Sequence, residues 1–186
     1  MALTDEEIKN NKEQVEQYLR STNREGIERI ISFLQRSGYY YLYGSFKHHT
    51  YKGGLAQHSL EVLKYAMDNN KNCPRDSVII ASLLHDLCKT KYNFPEDVDF
   101  IGHGTKSVSI IDEFIKFKLT YDEWNAIRFH MGSKAYLRTE EDEKRFKDAT
   151  ESELWNLVHV GDCISAGQYP KLLHGVVKGT MNMFNL

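Results

Sequence analysis

The sequence predicts an all-α fold, a bundle of amphipathic helices, on three observations. Apolar residues recur at steps of three and four, as in Ile27, Ile30, Ile31 and Leu34, the spacing that lines one face of a helix. Thr stands three residues ahead of Glu at Thr4/Glu7, Thr22/Glu25, Thr120/Glu123 and Thr150/Glu153. In that pattern hydroxyl and carboxylate each cap a backbone N–H at a helix start. No comparable set of alternating strand segments appears, and internal repeats and low-complexity tracts are absent. With three prolines and no linker-like stretch, the 186 residues read as one domain, 1–186, long enough for a sizeable core.

In chain order, a first helix follows Thr4 and a second carries the Ile27–Leu34 stripe. Gly38 ends it. The tyrosines from Tyr39 to Tyr43 suit either a pocket lining or half-buried packing. Gly53-Gly54 suits a tight turn or a close backbone approach before a third helix from about Leu55, with His58 near its start and Leu60, Leu63 and Met67 on its apolar face. Pro74 belongs to a helix start, and the helix it opens runs through an apolar stretch from Ser77 into His85, Asp86 and Lys89. Lys91 to Phe100 reads as a polar and aromatic loop near the mouth of a site. Gly102-His103-Gly104 begins a helix bearing Val108, Ile111 and Ile115, and Thr120 caps another with Trp124, Ile127 and Met131 inward and His130 beside them. Arg138 to Arg145 reads as a solvated surface segment. Leu154, Leu157, Val158 and Gly161 mark a further core helix carrying His159 and Asp162, and Tyr169 to Leu186 reads as a last packing helix.

Composition excludes some roles. A net charge of −2 supplies no basic field for duplex nucleic acid. Three cysteines without Cys-x-x-Cys spacing fit reduced thiols rather than a disulfide framework. The acidic start, Met-Ala-Leu-Thr-Asp-Glu-Glu, lacks the apolar core of a signal peptide, and no apolar run is long enough to span a bilayer. The expectation is a cytoplasmic protein without a membrane partner.

The chemistry gathers around His85-Asp86. A carboxylate on an apolar helix loses roughly several kcal/mol of hydration unless it is paired, hydrogen-bonded or metal-bound. Taken alone, the pair is more simply a satisfied core histidine beside a capped aspartate. His58, His103, His130 and Asp162, however, each lie on or at the start of a different predicted core helix, and helix bundles build metal sites from facing helices in this way. Imidazoles and carboxylates suit Fe, Mn, Zn or Ni, and a bridging carboxylate suits two ions. Adjacent helical residues differ by about 100° in direction, which suits a terminal His85 and a bridging Asp86.

The order His58, His85-Asp86, Asp162 resembles the metal signature of the HD-domain superfamily, as do the strings Tyr51-Lys-Gly-Gly-Leu-Ala-Gln-His58, Leu83-Leu-His-Asp-Leu-Cys-Lys89, Gly102-His103 and Ile127-Arg-Phe-His130. The resemblance covers about residues 26–167 and is to the subset with two extra histidines. It implies a helical bundle with the metal site between core helices. His58, His85, Asp86 and Asp162 would hold one divalent ion, Asp86 would bridge to a second, and His103 and His130 would complete that second site. Met131 stands where several relatives have another His, and no Gly-Tyr-Pro signature follows, which separates the chain from HD-GYP phosphodiesterases and from a third metal.

The activity this resemblance implies is a dinuclear-metal phosphohydrolase acting on a small phosphorylated substrate such as a nucleotide, through a metal-bridged hydroxide. Asp86 and Lys89 would be its catalytic residues, Lys89 as a charge stabiliser. Lys89, Lys106, Arg128 and His49 are candidate substrate contacts, with His48 beside them. His159, one turn before Asp162, suits support of that ligand, whereas Cys88 and Cys163 suit packing. Two other classes stay open. A di-iron oxygenase could use the same ligands, and an HD module could bind a ligand without catalysis.

Overall fold

The computed structural model describes residues 2–90, 102–132 and 137–168, and these form helices without strands. In order they are α1 (Asp5–Ser21), α2 (Ile27–Arg36), α3 (Gly54–Asn69), α4 (Arg75–Leu84), α5 (His103–Ser109), α6 (Tyr121–Phe129), α7 (Glu140–Glu151) and α8 (Glu153–Ser165). A 3-10 turn, Leu87–Lys89, follows α4, and a π-helical segment, Ile110–Ile115, continues α5. None of these helices is long and apolar enough to cross a membrane. The segments expected at 91–100 (a loop) and 169–186 (a helix) lie outside the described residues.

Two of the four expected capping boxes form. Thr4 and Thr120 accept from the backbone N–H of Glu7 and Glu123, whose carboxylates accept from the threonine N–H in return. The other two do not. Thr22 closes α1, its hydroxyl donating to the Leu19 carbonyl, and α2 starts from Gly26 in the left-handed region. Thr150 still belongs to α7 and donates to the Lys147 carbonyl, while Glu153 accepts the backbone N–H groups of Lys71 and Asn72. In both cases the hydroxyl is taken by the carbonyl three residues back, which a preceding helix supplies.

The core is built on α3, α4, α6 and α8. Helix α3 packs against α4 and α8, and α6 against α4, α5 and α8. Every residue of α4 from Ser77 to Leu84 is buried, so this helix has no wet face. The Ile27, Ile30, Ile31 and Leu34 stripe of α2 is buried as its spacing predicts. Of the tyrosines, Tyr39 and Tyr40 enter the core, Tyr39 donating its hydroxyl to the Leu83 carbonyl, whereas Tyr41 and Tyr43 stay exposed.

Two further expectations are corrected. The helix expected from Ser77 to Lys89 stops at Leu84, and Asp86 leaves helical geometry at φ −107°, ψ 24°. Met131 is 49% exposed rather than inward, because α6 ends before it, at Phe129. The charged run 138–145 is largely exposed, as expected of a solvated surface segment, and forms the start of α7, capped by Thr139 and tied to α6 through the Arg128–Asp142 ion pair.

Candidate metal centre

The four core helices bring His58 (α3), His85 and Asp86 (the end of α4), His130 (the end of α6) and Asp162 (α8) together. His58 Nε2 lies 3.1 Å from Asp162 Oδ1, 3.5 Å from Asp86 Oδ2 and 3.3 Å from His85 Nε2. His85 Nε2 lies 3.4 Å from Asp86 Oδ2. Two ligands about 2.0–2.2 Å from one ion stand about 3–3.5 Å apart in tetrahedral or octahedral geometry. His58, His85, Asp86 and Asp162 therefore already have the spacing of one coordination shell, each offering a ligand atom within 4.8 Å of the others.

The imidazoles face inward because their other nitrogens are occupied. His85 is the C-cap of α4 and His130 the C-cap of α6. At a helix C-terminus the last carbonyls lack intrahelical donors. The Nδ1–H of His85 donates to Ser82 O at 2.8 Å, and that of His130 to Ile127 O at 2.7 Å. Each ring thus presents Nε2 to the centre. His130 Nε2 is buried without a hydrogen-bond partner and faces Asp86 Oδ1 at 3.7 Å. Orphaned or mutually facing imidazole nitrogens beside two carboxylates are a donor set suited to a divalent cation.

Charge follows the same logic. Burial pushes the Asp86 carboxyl up, but His85 and Lys89 hold it well below the usual carboxylate range. Burial likewise opposes ionisation of Asp162, which its bond to His58 and the nearby His85 bring to about 2. Burial lowers the His85 imidazole, yet the Asp86 and Asp162 carboxylates outweigh it and raise its pKa. The centre therefore attracts positive charge. His130, farther from the carboxylates, falls to about 4 through burial and the neighbouring His85.

The two oxygens of Asp86 divide between two groups. Oδ2 faces His58 and His85, while Oδ1 stands 3.7 Å from His130 Nε2 and 3.9 Å from Cys88 Sγ. Asp86, Cys88 and His103 form a second set of ligand atoms within 4.8 Å of one another. His103, first residue of α5, is exposed. Gly104 beside it lets α5 approach the end of α6. A Cβ there would lie 2.0 Å from the Arg128 carbonyl oxygen and 2.7 Å from that of Ile127, so only glycine fits. Cys88, read as packing from sequence, sits among these atoms, with its thiol pushed up to about 12 by burial and by Asp86.

The expected substrate residues fare differently. The Lys89 ammonium pairs with Asp86 Oδ2 from the 3-10 turn, three residues on, and not from a shared helix face with His85. Lys106 lies on α5 with its charge felt at the Cys88 thiol. Arg128 is spent within the protein, pairing with Asp142, donating to Thr105 Oγ1 at 3.3 Å and lying over the Trp124 ring. His49 pairs with Glu61 at 3.0 Å, and the His48 ring lies 5.0 Å from that of His58. His159 supports His130 rather than Asp162, its Nδ1 lying 2.6 Å from the His130 carbonyl oxygen while its ring stacks on Trp155.

Sequence reasoning missed Glu61 and Ser165. Glu61 stands three residues after His58 on α3, a helical-face spacing that could have suggested it. Ser165, 107 positions from His58, carries no such signal.

A family model described as HD domain matches residues 55–155, more than half of the chain, taking in His58, His85, Asp86, His103 and His130 and ending just before Asp162. Searches of the curated proteins and of the solved structures each find no match. An all-α bundle, a His-Asp pair at the end of its most buried helix and a metal-capable cluster between its core helices agree with that match, and the chain belongs to the HD domain family.

Proposed function

We propose that the chain is a metal-dependent phosphohydrolase that holds two divalent ions and cleaves a phosphate ester of a nucleotide or a related small substrate. The observation that carries this reading is the division of Asp86, with Oδ2 3.4 and 3.5 Å from two imidazoles and Oδ1 3.7 Å from a third. A carboxylate so placed suits a bridge. Membership of a family made up mostly of metal-dependent hydrolases supports the class of chemistry. His58, His85, Asp86 and Asp162 would hold the first ion, and Asp86, His130 and His103 the second, with Fe, Mn, Ni or Zn suited to this donor set. When bound, such ions supply Lewis acidity and lower the pKa of water toward neutrality.

The protein's own groups do the rest. The carbonyls of Ser82 and Ile127 keep two imidazoles turned inward before substrate arrives, so little reorganisation accompanies binding. Asp86 stays ionised, which suits a bridge and not a proton donor. An ammonium has three donors. Lys89 uses one on Asp86 and is 18% exposed, so its remaining N–H groups can take phosphoryl oxygens and offset the charge that builds on them. Substrate would approach from the side where Lys89, Asp162 and His103 meet solvent, since His58, His85 and His130 are fully buried.

The test is a nucleotide and phosphodiester panel with Mn²⁺ under strict exclusion of O₂. Release of phosphate or nucleotide is expected. No phosphoester cleaved across the panel, together with oxygen consumption coupled to substrate loss when the iron-loaded protein is assayed in air, would overturn the reading in favour of the di-iron oxygenase.

A further inference from the structure

We propose that Glu61 is a positioning residue for the centre, one carboxylate that fixes the tautomer of His58 through Ser165 and, down a second arm, that of His49 directly and that of His48 through His49. The inference rests on the metal-centre reading above but not on any particular reaction. Glu61 Oε2 receives two bonds, from Ser165 Oγ at 2.7 Å and His49 Nε2 at 3.0 Å. Its Oε1 receives Gln57 Nε2 at 2.9 Å, and Asn11 of α1 in turn donates to Gln57 Oε1 at 2.9 Å. A carboxylate can only accept, so every proton in this network is assigned from Glu61 outward.

On the first arm, Ser165 spends its hydroxyl hydrogen on Glu61. Its oxygen can then only accept from His58 Nδ1, 2.9 Å away. His58 thereby keeps a hydrogen on Nδ1 and turns Nε2 toward Asp162 and Asp86, 3.1 and 3.5 Å away. Backbone carbonyls perform this task for His85 and His130 at their helix ends. His58 lies inside α3, where carbonyls are already used, and so needs a side chain to do it.

On the second arm, His49 carries its hydrogen on Nε2, toward Glu61. Its Nδ1 is therefore the acceptor for His48 Nδ1 at 3.1 Å, and His48 is left with Nε2 bare. Three observations show that the loop is built for this. His49 holds a left-handed φ of +50°. Gly54 has no room for a Cβ, which would lie 2.2 Å from the His49 carbonyl oxygen. The loop is closed by Gly44 N–H donating to His49 O at 2.8 Å. His48, His49 and His58 offer ligand atoms within 4.8 Å of one another, and the His48 ring lies 5.0 Å from that of His58, so this arm borders the centre.

Long-range ¹H–¹⁵N correlation of the histidine rings in the metal-free full chain, with Mn²⁺ titration of the same samples, tests the proposal without any turnover assay. Wild type should show His58 and His48 as Nδ1–H and His49 as Nε2–H. Glu61→Ala should scramble all three and weaken Mn²⁺ binding about 10- to 100-fold, the usual loss when an outer partner of a ligand is removed. Glu61→Gln should restore most of both, because its amide oxygen can replace Oε2 once the Gln57 and Asn11 amides turn over together. Ser165→Ala should release His58 alone, and it decides the first arm if Glu61→Ala fails to fold. A folded Glu61→Ala or Ser165→Ala protein with His58 still Nδ1–H and Mn²⁺ affinity unchanged overturns the proposal. Absence of phosphoesterase activity in wild type would instead count against the hydrolase reading alone.

Discussion

Single side chains at the centre can be separated by what each change removes. Lys89→Ala should leave metal content and fold intact while turnover falls roughly ten- to a thousandfold, the range for losing one preorganised charge-stabilising donor. Elemental analysis beside steady-state kinetics checks both, and unchanged turnover would reject the role. Asp86→Ala should disturb both metal sites, whereas His103→Ala should spare the first, and metal per chain under saturating Mn²⁺ distinguishes them. The six proposed ligands could all be read from the sequence, because His and Asp carry their chemistry in their identity. The network of Glu61 and Ser165 is harder to read, since only the helical spacing of Glu61 from His58 hints at it. Their roles arise only when α3, α8 and the loop before α3 meet, and nothing in a lone Glu or Ser announces that meeting.

Among elements, the legible ones are those whose stability is local. The α2 stripe and the α3 start are where apolar spacing and paired glycines put them. Caps are less legible, since the four Thr-x-x-Glu stretches look alike while two fall at the tail of a preceding helix. Glu123 shows what tertiary structure adds to a real cap. Fully buried, it accepts from Thr120 N–H and also from Arg24 at 2.6 Å and Ser77 Oγ at 2.8 Å, so it joins α6 to α4 and to the turn between α1 and α2. Arg24→Ala strands that carboxylate and should cost about 3–5 kcal/mol, measurable as a lower urea midpoint with little change in slope. Losing only a local cap, as in Thr4→Ala, should cost nearer 1 kcal/mol. The break at Asp86 was illegible for a different reason. Periodicity continues through Leu84 and Leu87, and the 3-10 turn is decided by Asp86 leaving helical geometry where the centre lies.

For the whole molecule, the centre ties α3, α4, α6 and α8 together, so occupancy and stability are linked. A ligand that binds only the folded state stabilises it by about 2.7 kcal/mol at a hundred times its Kd. Stripping with a chelator should therefore lower the melting temperature and Mn²⁺ should restore it, by calorimetry. Asp86→Ala should abolish the metal-dependent part of that shift. The burial of the ligands also grades across the centre, from imidazoles wholly enclosed between core helices, through Asp162 at 16% exposed, to His103 at the surface. For the two ions proposed above, the consequence is kinetic. An ion held partly by His103 can exchange ligands with water or with a chelator one bond at a time, while an ion behind His58 and His85 can leave only after Asp162 swings away. Release should be biphasic, with the fast phase lost in His103→Ala, and the more slowly exchanging ion should be the one that survives dilution.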